Sequence, residues 1–264
     1  MLTPRRHPEP ARRAILLGAS NITLGLPWVV PAVEERLGSP VEIIGSWGHG
    51  RSYGVPSSLL YRTLRGIVHS KLWRVLEDLP PRPTYACLTD VGNDIAFGHT
   101  PDEILGWLTT VFERLDRLGA HTLVTGLPLE RLRDQSAVNF CVFRMLYFPQ
   151  YPLRQADILA KVEEVHARVE ELTARFGFTF VPKERHWYGY DPIHIQFSHM
   201  KEAWEKILRG WDDEERVAHK RWANPRRAVE LWSLRPERYD IFGEKFLTTQ
   251  PCYRTRRSST IAMY

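Results

Sequence analysis

Short apolar runs closed by small or turn-forming residues alternate along this chain with longer segments whose apolar positions recur at helical spacing. The first run, Ala14-Ile15-Leu16-Leu17, ends in Gly18-Ala19-Ser20. Four consecutive apolar residues followed by a tight turn read as a core strand of a parallel sheet, which is buried on both faces and so does not alternate. Residues 24–37 follow, with Pro27 near their start and Gly38 just past their end, the usual asymmetry of a helix. Val41-Glu42-Ile43-Ile44-Gly45 predicts a second strand that opens into the glycine-rich loop 46–54, and a helical pattern is read from Ser57 to Leu79, where Pro80, Pro81 and Pro83 stop it.

The alternation continues. Tyr85-Ala86-Cys87-Leu88 predicts a third strand, followed by the polar loop 89–94. Pro101, Asp102 and Glu103 open a helix whose apolar face is Ile104, Leu105, Leu108, Val111, Phe112 and Leu115, and Gly119 ends it. Residues 121–126 form a fourth strand. After Pro128 comes an irregular aromatic stretch with Phe140, Phe143, Tyr147, Phe148 and Tyr151. A charged amphipathic helix over 156–176 then leads through Gly177 into a fifth strand, 178–181. Met200, Trp204, Ile207, Leu208 and Trp211 make the apolar face of a closing helix, with Ser198 and His199 as its cap and first turn.

Strand-helix alternation with crossover-length connections predicts a three-layer α/β/α sandwich around a parallel sheet of about five strands, a flavodoxin-like arrangement. In such folds ligands bind outside the carboxyl ends of the strands, near the point where strand order reverses. Three regions are expected: a basic N-terminal segment at 1–13, an α/β domain at 14–211 and a C-terminal extension at 212–264. The extension is charge-rich with interspersed Trp222 and Trp232, and ends near the basic run Tyr253-Arg254-Thr255-Arg256-Arg257. It is read as a lid, a dimer arm for a homo-oligomer, or a partly disordered tail.

Composition narrows the function classes. With 43% hydrophobic residues and nine Trp, ten Tyr and eleven Phe among 264 residues, most of the chain has to pack, which sets disorder aside. A net charge of +5 is too small and too dispersed to imply nucleic-acid binding. Cys87, Cys141 and Cys252 are odd in number and form no CxxC pair, which favours a reducing compartment. The apolar run behind the N-terminal arginines stops at Leu17, too short for a signal-peptide core or a bilayer span, so a cytoplasmic protein without membrane attachment is expected. No histidine or cysteine spacing resembles a metal site, and neither a P-loop nor a G-x-G-x-x-G turn follows a strand, so no metal or nucleotide cofactor is implied.

Candidate chemistry collects on the strand ends. Ser20 follows strand one, Gly50 strand two, Asn93 strand three, and Asp191 with His194 strand five. A serine hydroxyl becomes a useful nucleophile when a histidine accepts its proton, and that histidine needs a carboxylate to fix its tautomer. Asp191 and His194, three residues apart, form such a pair locally. A glycine N–H and an asparagine amide are donors for a tetrahedral oxyanion. Each residue also has an ordinary reading: a turn serine, a loop glycine, a capping asparagine, an Asp-Pro turn beside a solvated histidine. Gly50-Arg51-Ser52-Tyr53-Gly54 matches the G-x-S-x-G nucleophile elbow, which makes Ser52 a rival nucleophile. That elbow needs a strand running straight into its first glycine, and residues 45–49 intervene. His49 is read as a loop histidine beside the site, and the aromatic stretch as pocket wall or core.

Taken together, Gly18-Ala19-Ser20, Gly50-Arg51-Ser52, Gly92-Asn93-Asp94 and Asp191-Pro192-Ile193-His194 resemble the four sequence blocks of the SGNH hydrolase superfamily, the GDSL-like esterases and lipases, over residues 14–211. The resemblance implies the SGNH hydrolase fold, with Ser20 as nucleophile, His194 as general base and acid, and Asp191 as its orienting partner. It places the oxyanion hole at the N–H groups of Ser20 and Gly50 and the amide of Asn93. It implies a serine esterase cleaving a small carboxylic ester, such as an O-acetyl group. An acyltransferase with the same triad and a non-catalytic binding or scaffold protein are the alternatives. Two positions depart from the family pattern: Ala19 stands where Asp is usual, and Gly92 directly precedes Asn93 where one residue usually intervenes.

Overall fold

A computed structural model describes residues 8–59, 62–147, 154–211 and 224–264. In chain order the elements are β1 (Arg12–Leu17), α1 (Ser20–Leu37), β2 (Val41–Ser46), β3 (Ser57–Leu59), β4 (Arg62–Leu64), α2 (Leu72–Asp78), β5 (Thr84–Leu88), α3 (Gly92–Ala96) and α4 (Pro101–Arg117). They continue with β6 (His121–Thr125), α5 (Leu129–Arg133), α6 (Ala137–Tyr147), α7 (Gln155–Arg175), β7 (Thr179–Val181), α8 (Met200–Leu208), α9 (Pro225–Trp232), β8 (Arg238–Ile241), β9 (Glu244–Leu247), β10 (Tyr253–Arg254) and β11 (Thr260–Met263).

The central sheet runs β10-β11-β2-β1-β5-β6-β7. The five predicted strands form a continuous parallel block, in register from Leu17↔Ser46 on one side of β1 to Leu17↔Leu88 on the other. Each continuous apolar run divides by the two-residue period of a strand. Ala14 and Leu16 join one core with α1, α8 and Trp211, whereas Ile15 and Leu17 join a second core with α4 and α7. Cys87 and Leu123 face the first core, and Ala86, Leu88 and Val124 the second. A strand with no polar position therefore signals two covering layers, and each Leu or Ile buried in them contributes about 1.5–3 kcal/mol. α4 starts where predicted, with Pro101 at its first position and a reciprocal Thr100–Glu103 capping box.

Three differences from the sequence pattern bear on the site. The first helix begins at Ser20 rather than at residue 24, so the serine sits at a helix N-terminus. Among the described residues, the helix predicted over 57–79 is present only as a 3₁₀ turn at Ile67–His69 and α2. Its first part is the hairpin β3–β4, which pairs through β4 with β8 and β9 in a second, antiparallel sheet. Helical spacing was satisfied by chance there, and the strands form because their partner comes from the other end of the chain. Finally, residues 253–263 are neither lid nor free tail: β11 lies parallel to β2 and extends the central sheet, and β10 returns antiparallel at its edge. In the aromatic stretch, Phe140 is half-buried on α6, and Phe148 and Tyr151, like Trp222, lie outside the described residues.

Candidate active site

β1 is the point at which strand order reverses, β2 lying on one side and β5 on the other, so the loops after these strands meet at one crevice. The loop after β1 stays tight because Gly18 has no side chain. A Cβ there would lie 2.7 Å from Thr89 Cγ2 and 3.0 Å from Thr89 O. Ala19 is the N-cap of α1 and Ser20 its first residue, so the Ser20 N–H has no acceptor within the helix and points with the positive end of the helix dipole.

Asp90 occupies that helix end. Its Oδ2 accepts from the N–H groups of Ala19 and Asn21, each at 3.0 Å, and its Oδ1 accepts from Asn21 Nδ2 at 2.7 Å. The carboxylate reaches this position with Asp90 in the left-handed region, φ +65°. Lys183 Nζ, just past β7, lies 3.6 Å from Asp90 Oδ1, and both side chains are almost fully buried. Burial pulls the lysine pKa down, opposed by the neighbouring carboxylate. Asn21 links this buried pair to the histidine loop: its Nδ2 also donates to Ile193 O at 3.0 Å, and its Oδ1 accepts from Ile195 N–H at 2.9 Å. Both neighbours of His194 are thus held by one amide.

His194 is brought between Asp191 and Ser20. Its Nδ1 lies 2.6 Å from Asp191 Oδ2 and its Nε2 2.8 Å from Ser20 Oγ. Asp191 Oδ1 accepts from the N–H groups of Ile193 and His194, at 2.8 and 3.1 Å. Burial would raise the Asp191 pKa, but the histidine and the two amides outweigh it and hold the carboxyl below its ordinary value. An ionised carboxylate only accepts, so Nδ1 carries the proton and Nε2 is left to accept from the serine hydroxyl.

Asn93 and Asp94 of α3 serve different sides. Asn93 is buried, and its Nδ2 has no hydrogen-bond partner among the described residues. Asp94 turns to the glycine-rich loop, accepting from Tyr53 N–H at 2.9 Å and from the Ser52 hydroxyl. Ser52 Oγ in turn accepts from the N–H groups of Gly54 and Val55, each at 3.0 Å. Fully buried and paired with a carboxylate rather than a histidine, Ser52 is part of the loop scaffold. Gly50 adopts φ +64°, which favours glycine, and the buried Arg51 after it is tied to Trp47 O, Arg65 O and Tyr264 O. Burial lowers the Arg51 pKa to about 9. His49 lies close enough to Arg62 and His194 for both to add to the depression of its pKa by burial.

Asn21, Asp90 and Lys183 were not singled out from the sequence. Asp90 and Lys183 each follow a parallel strand at its carboxyl end, the one signal that marks them. His199 is the N-cap of α8 but makes no side-chain cap. Among the described residues, His186, His199 and Glu202 could offer metal ligands within 4.8 Å of one another. They are already mutually bonded, His186 Nε2 at 2.7 Å and His199 Nδ1 at 3.3 Å from the Glu202 carboxylate, and none belongs to the serine-histidine cluster. No described helix is long and apolar enough to cross a membrane. The described cysteines, Cys87, Cys141 and Cys252, are free.

No protein-family model matches the chain, and no curated protein matches it in sequence. Solved structures do match. A "putative arylesterase" from Agrobacterium tumefaciens aligns over 75% of this chain and 96% of its own, with a TM-score of 0.51 at 11% identity. The psychrotrophic esterase EstA from Pseudoalteromonas aligns over 76% of this chain and 99% of its own, with a TM-score of 0.47 at 12% identity. A GDSL-like lipase from Bacteroides thetaiotaomicron aligns over 75% and 85%, with a TM-score of 0.45 at 16% identity. At such identities a likeness speaks for the fold, and the first of the three carries that point. With the five-strand parallel block, the reversal at β1 and the four loops converging on its carboxyl end, this chain has the SGNH hydrolase fold.

Proposed function

We propose that the protein is a serine hydrolase that cleaves a small carboxylic ester through an acyl-enzyme on Ser20. One observation carries the reading: the Asp191–His194–Ser20 relay, with contacts of 2.6 and 2.8 Å, in the protonation pattern that nucleophilic catalysis needs. His194 Nε2 removes the Ser20 proton as Oγ attacks the ester carbonyl, while Asp191 stabilises the imidazolium that forms. The protonated imidazole then gives its proton to the departing alkoxide, and water repeats the sequence on the acyl-enzyme.

Developing negative charge on the carbonyl oxygen meets three donors: the Ser20 N–H at the helix end, the Gly50 N–H and Asn93 Nδ2. The last is buried without a partner among the described residues, the state of a donor kept for an oxygen that becomes charged only in the transition state. Ala19 does not disturb this scheme, because Asp90 supplies a carboxylate to the same helix end from the adjacent strand.

A fluorophosphonate probe tests the assignment. Labelling of the native protein that is lost in Ser20→Ala and retained in Ser52→Ala, with hydrolysis of a short-chain nitrophenyl ester lost in parallel, is the expected result. Absence of labelling in the folded native protein would overturn the hydrolase reading in favour of a non-catalytic binding protein. Acyl transfer to an added alcohol in competition with water would make it an acyltransferase.

A further inference from the structure

The loop that carries Asp191 and His194 leaves the body of the molecule at a narrow neck. Tyr188 and Ile195 form an antiparallel bridge across it, Trp187 O accepts from Gln196 N–H at 2.9 Å, and Gln196 O accepts from His199 N–H at 2.9 Å. Three side chains converge at the foot of this neck: His186 on its incoming limb, in the 3₁₀ turn Arg185–Trp187, and His199 with Glu202 at the start of α8. A donor atom of each lies within 4.8 Å of the others. The two histidines are too far apart in sequence to show as a motif, and only the closed loop brings them together.

Glu202 stands between the two imidazoles. His186 Nε2 lies 2.7 Å from its Oε1 and His199 Nδ1 3.3 Å from its Oε2, and the rings meet edge-on at 5.3 Å. The donors are also oriented from outside. His186 Nδ1 lies 3.3 Å from Glu184 Oε2, and Glu184 is fixed in turn by Lys206. A carboxylate on one ring nitrogen sets the tautomer in which the other nitrogen ligates, the usual arrangement around a histidine that binds metal. The fully buried Trp187 places its Nε1 3.5 Å from Glu202 Oε1. Glu202 also supplies the negative charge that offsets the positive amino end of α8 for an incoming cation.

Two imidazoles and one carboxylate are the donor set of a borderline transition-metal ion, whereas magnesium and calcium take oxygen ligands. A tetrahedral ion bonded at about 2.0–2.1 Å spaces its ligand atoms about 3.3 Å apart. The His199–Glu202 contact already has that spacing. The His186–Glu202 contact opens to it once the ring nitrogen gives its proton to solvent and the ion takes the proton's place. We infer that a divalent ion of the zinc class binds at His186, His199 and Glu202, with water in its fourth position, and clamps the neck of the loop that carries Asp191 and His194. Its part is structural: closing a loop with a metal removes freedom that the open chain has. Binding of the ion does not depend on the role proposed for Ser20.

Zinc titrated by calorimetry into the full-length protein, first stripped with a chelator, tests the site. One equivalent is expected to bind with micromolar or tighter affinity and to raise the melting temperature by several degrees at saturation. Loss of even an outer partner of a metal ligand costs about 10–100-fold in affinity, so His186→Gln and His199→Gln should each weaken binding at least about tenfold and cancel the rise in melting temperature. Both side chains are partly exposed, 51% and 32%, so without metal the variants should melt like the native protein. Cobalt in place of zinc should give the visible absorption of a four-coordinate ion in the native protein and not in Glu202→Gln, a third variant that keeps the test sound where one of the others disturbs the fold. Hydrogen exchange of residues 187–198 should slow when zinc is added.

Absence of zinc binding below millimolar concentration overturns the site. Binding that persists unchanged in the histidine variants puts the ion elsewhere and overturns it equally. Binding that needs both histidines but leaves hydrogen exchange of the loop unchanged overturns the clamp. None of these results depends on fluorophosphonate labelling of Ser20, so the hydrolase reading stands or falls separately.

Discussion

Asn93 and Asp90 make opposite predictions, because the amide nitrogen of one has no partner among the described residues and the carboxylate of the other accepts several hydrogen bonds. Replacing Asn93 by Ala removes a buried donor that has no partner among the described residues. The expected result is a fall in kcat of about 10²–10³-fold, the usual loss for one oxyanion donor. Urea denaturation should show little loss of stability, since Asn93 Nδ2 donates no hydrogen bond to the described residues. A stability loss with unchanged kcat would make Asn93 a structural residue.

Asp90 instead accepts from two backbone amides and one side-chain amide beside the buried Lys183. Asp90→Asn leaves an uncompensated buried cation and should cost about 3–5 kcal/mol of stability. Asp90→Asn with Lys183→Met should recover most of this in the same denaturation assay, whereas kcat remains low because the carboxylate no longer fixes the Ser20 turn. Five of the eight residues that build this site were legible as residue types on strand ends. The other three, Asn21, Asp90 and Lys183, act by holding backbone, and an asparagine or aspartate in a loop looks the same in sequence whether it caps its own turn or ties two loops together.

At the scale of elements, α3 carries two adjacent polar residues with different surroundings. Asn93 Nδ2 is buried without a partner among the described residues, and Asp94 anchors the Gly50 loop through Tyr53 N–H and the Ser52 hydroxyl. Burial raises the Asp94 pKa to about 6 against the pull of these hydrogen bonds. A carboxyl with a raised folded-state pKa binds its proton more tightly in the native protein than in the unfolded chain. Its contribution to stability therefore falls as pH rises from about 4 to about 6 and is flat above that. The difference in urea midpoint between native protein and Asp94→Asn should follow this slope between pH 4 and 7. A difference that does not change with pH would exclude an Asp94 that is protonated in the folded state near pH 5.

The elements themselves were legible where local pattern and tertiary role coincide, as in β1, whose four apolar residues fall alternately into the two cores, or α4 with its capping box. They were illegible where pairing is non-local. Arg62–Leu64 pairs with Arg238–Ile241 from near the other end of the chain, with Ser57–Leu59 added at its outer edge, and no window of neighbouring residues contains that long-range pairing.

At the scale of the whole molecule, the end of the chain completes what its beginning starts. β11 pairs parallel with β2, burying Ile261 and Met263 in the first core and Ala262 in the second. Tyr264 O accepts from Ser46 Oγ and Arg51 Nη1, each at 2.7 Å, so the last residue helps to fix the loop that presents Gly50. Truncation after Thr249 would remove this strand together with β10. Two buried apolar side chains at about 1.5–3 kcal/mol each would be lost, and the β2 edge would be opened to pairing with other chains. The buried Arg51 guanidinium would also lose one of its three carbonyl partners, which loosens the loop that presents Gly50. The truncated protein should melt well below the native temperature, associate as its concentration is raised in light scattering, and label poorly with fluorophosphonate while any folded fraction persists. A truncated protein that melts, scatters and labels like the native one would mean that the basic C-terminal run is a dispensable appendage after all, and that the sheet is stable with β2 at its edge.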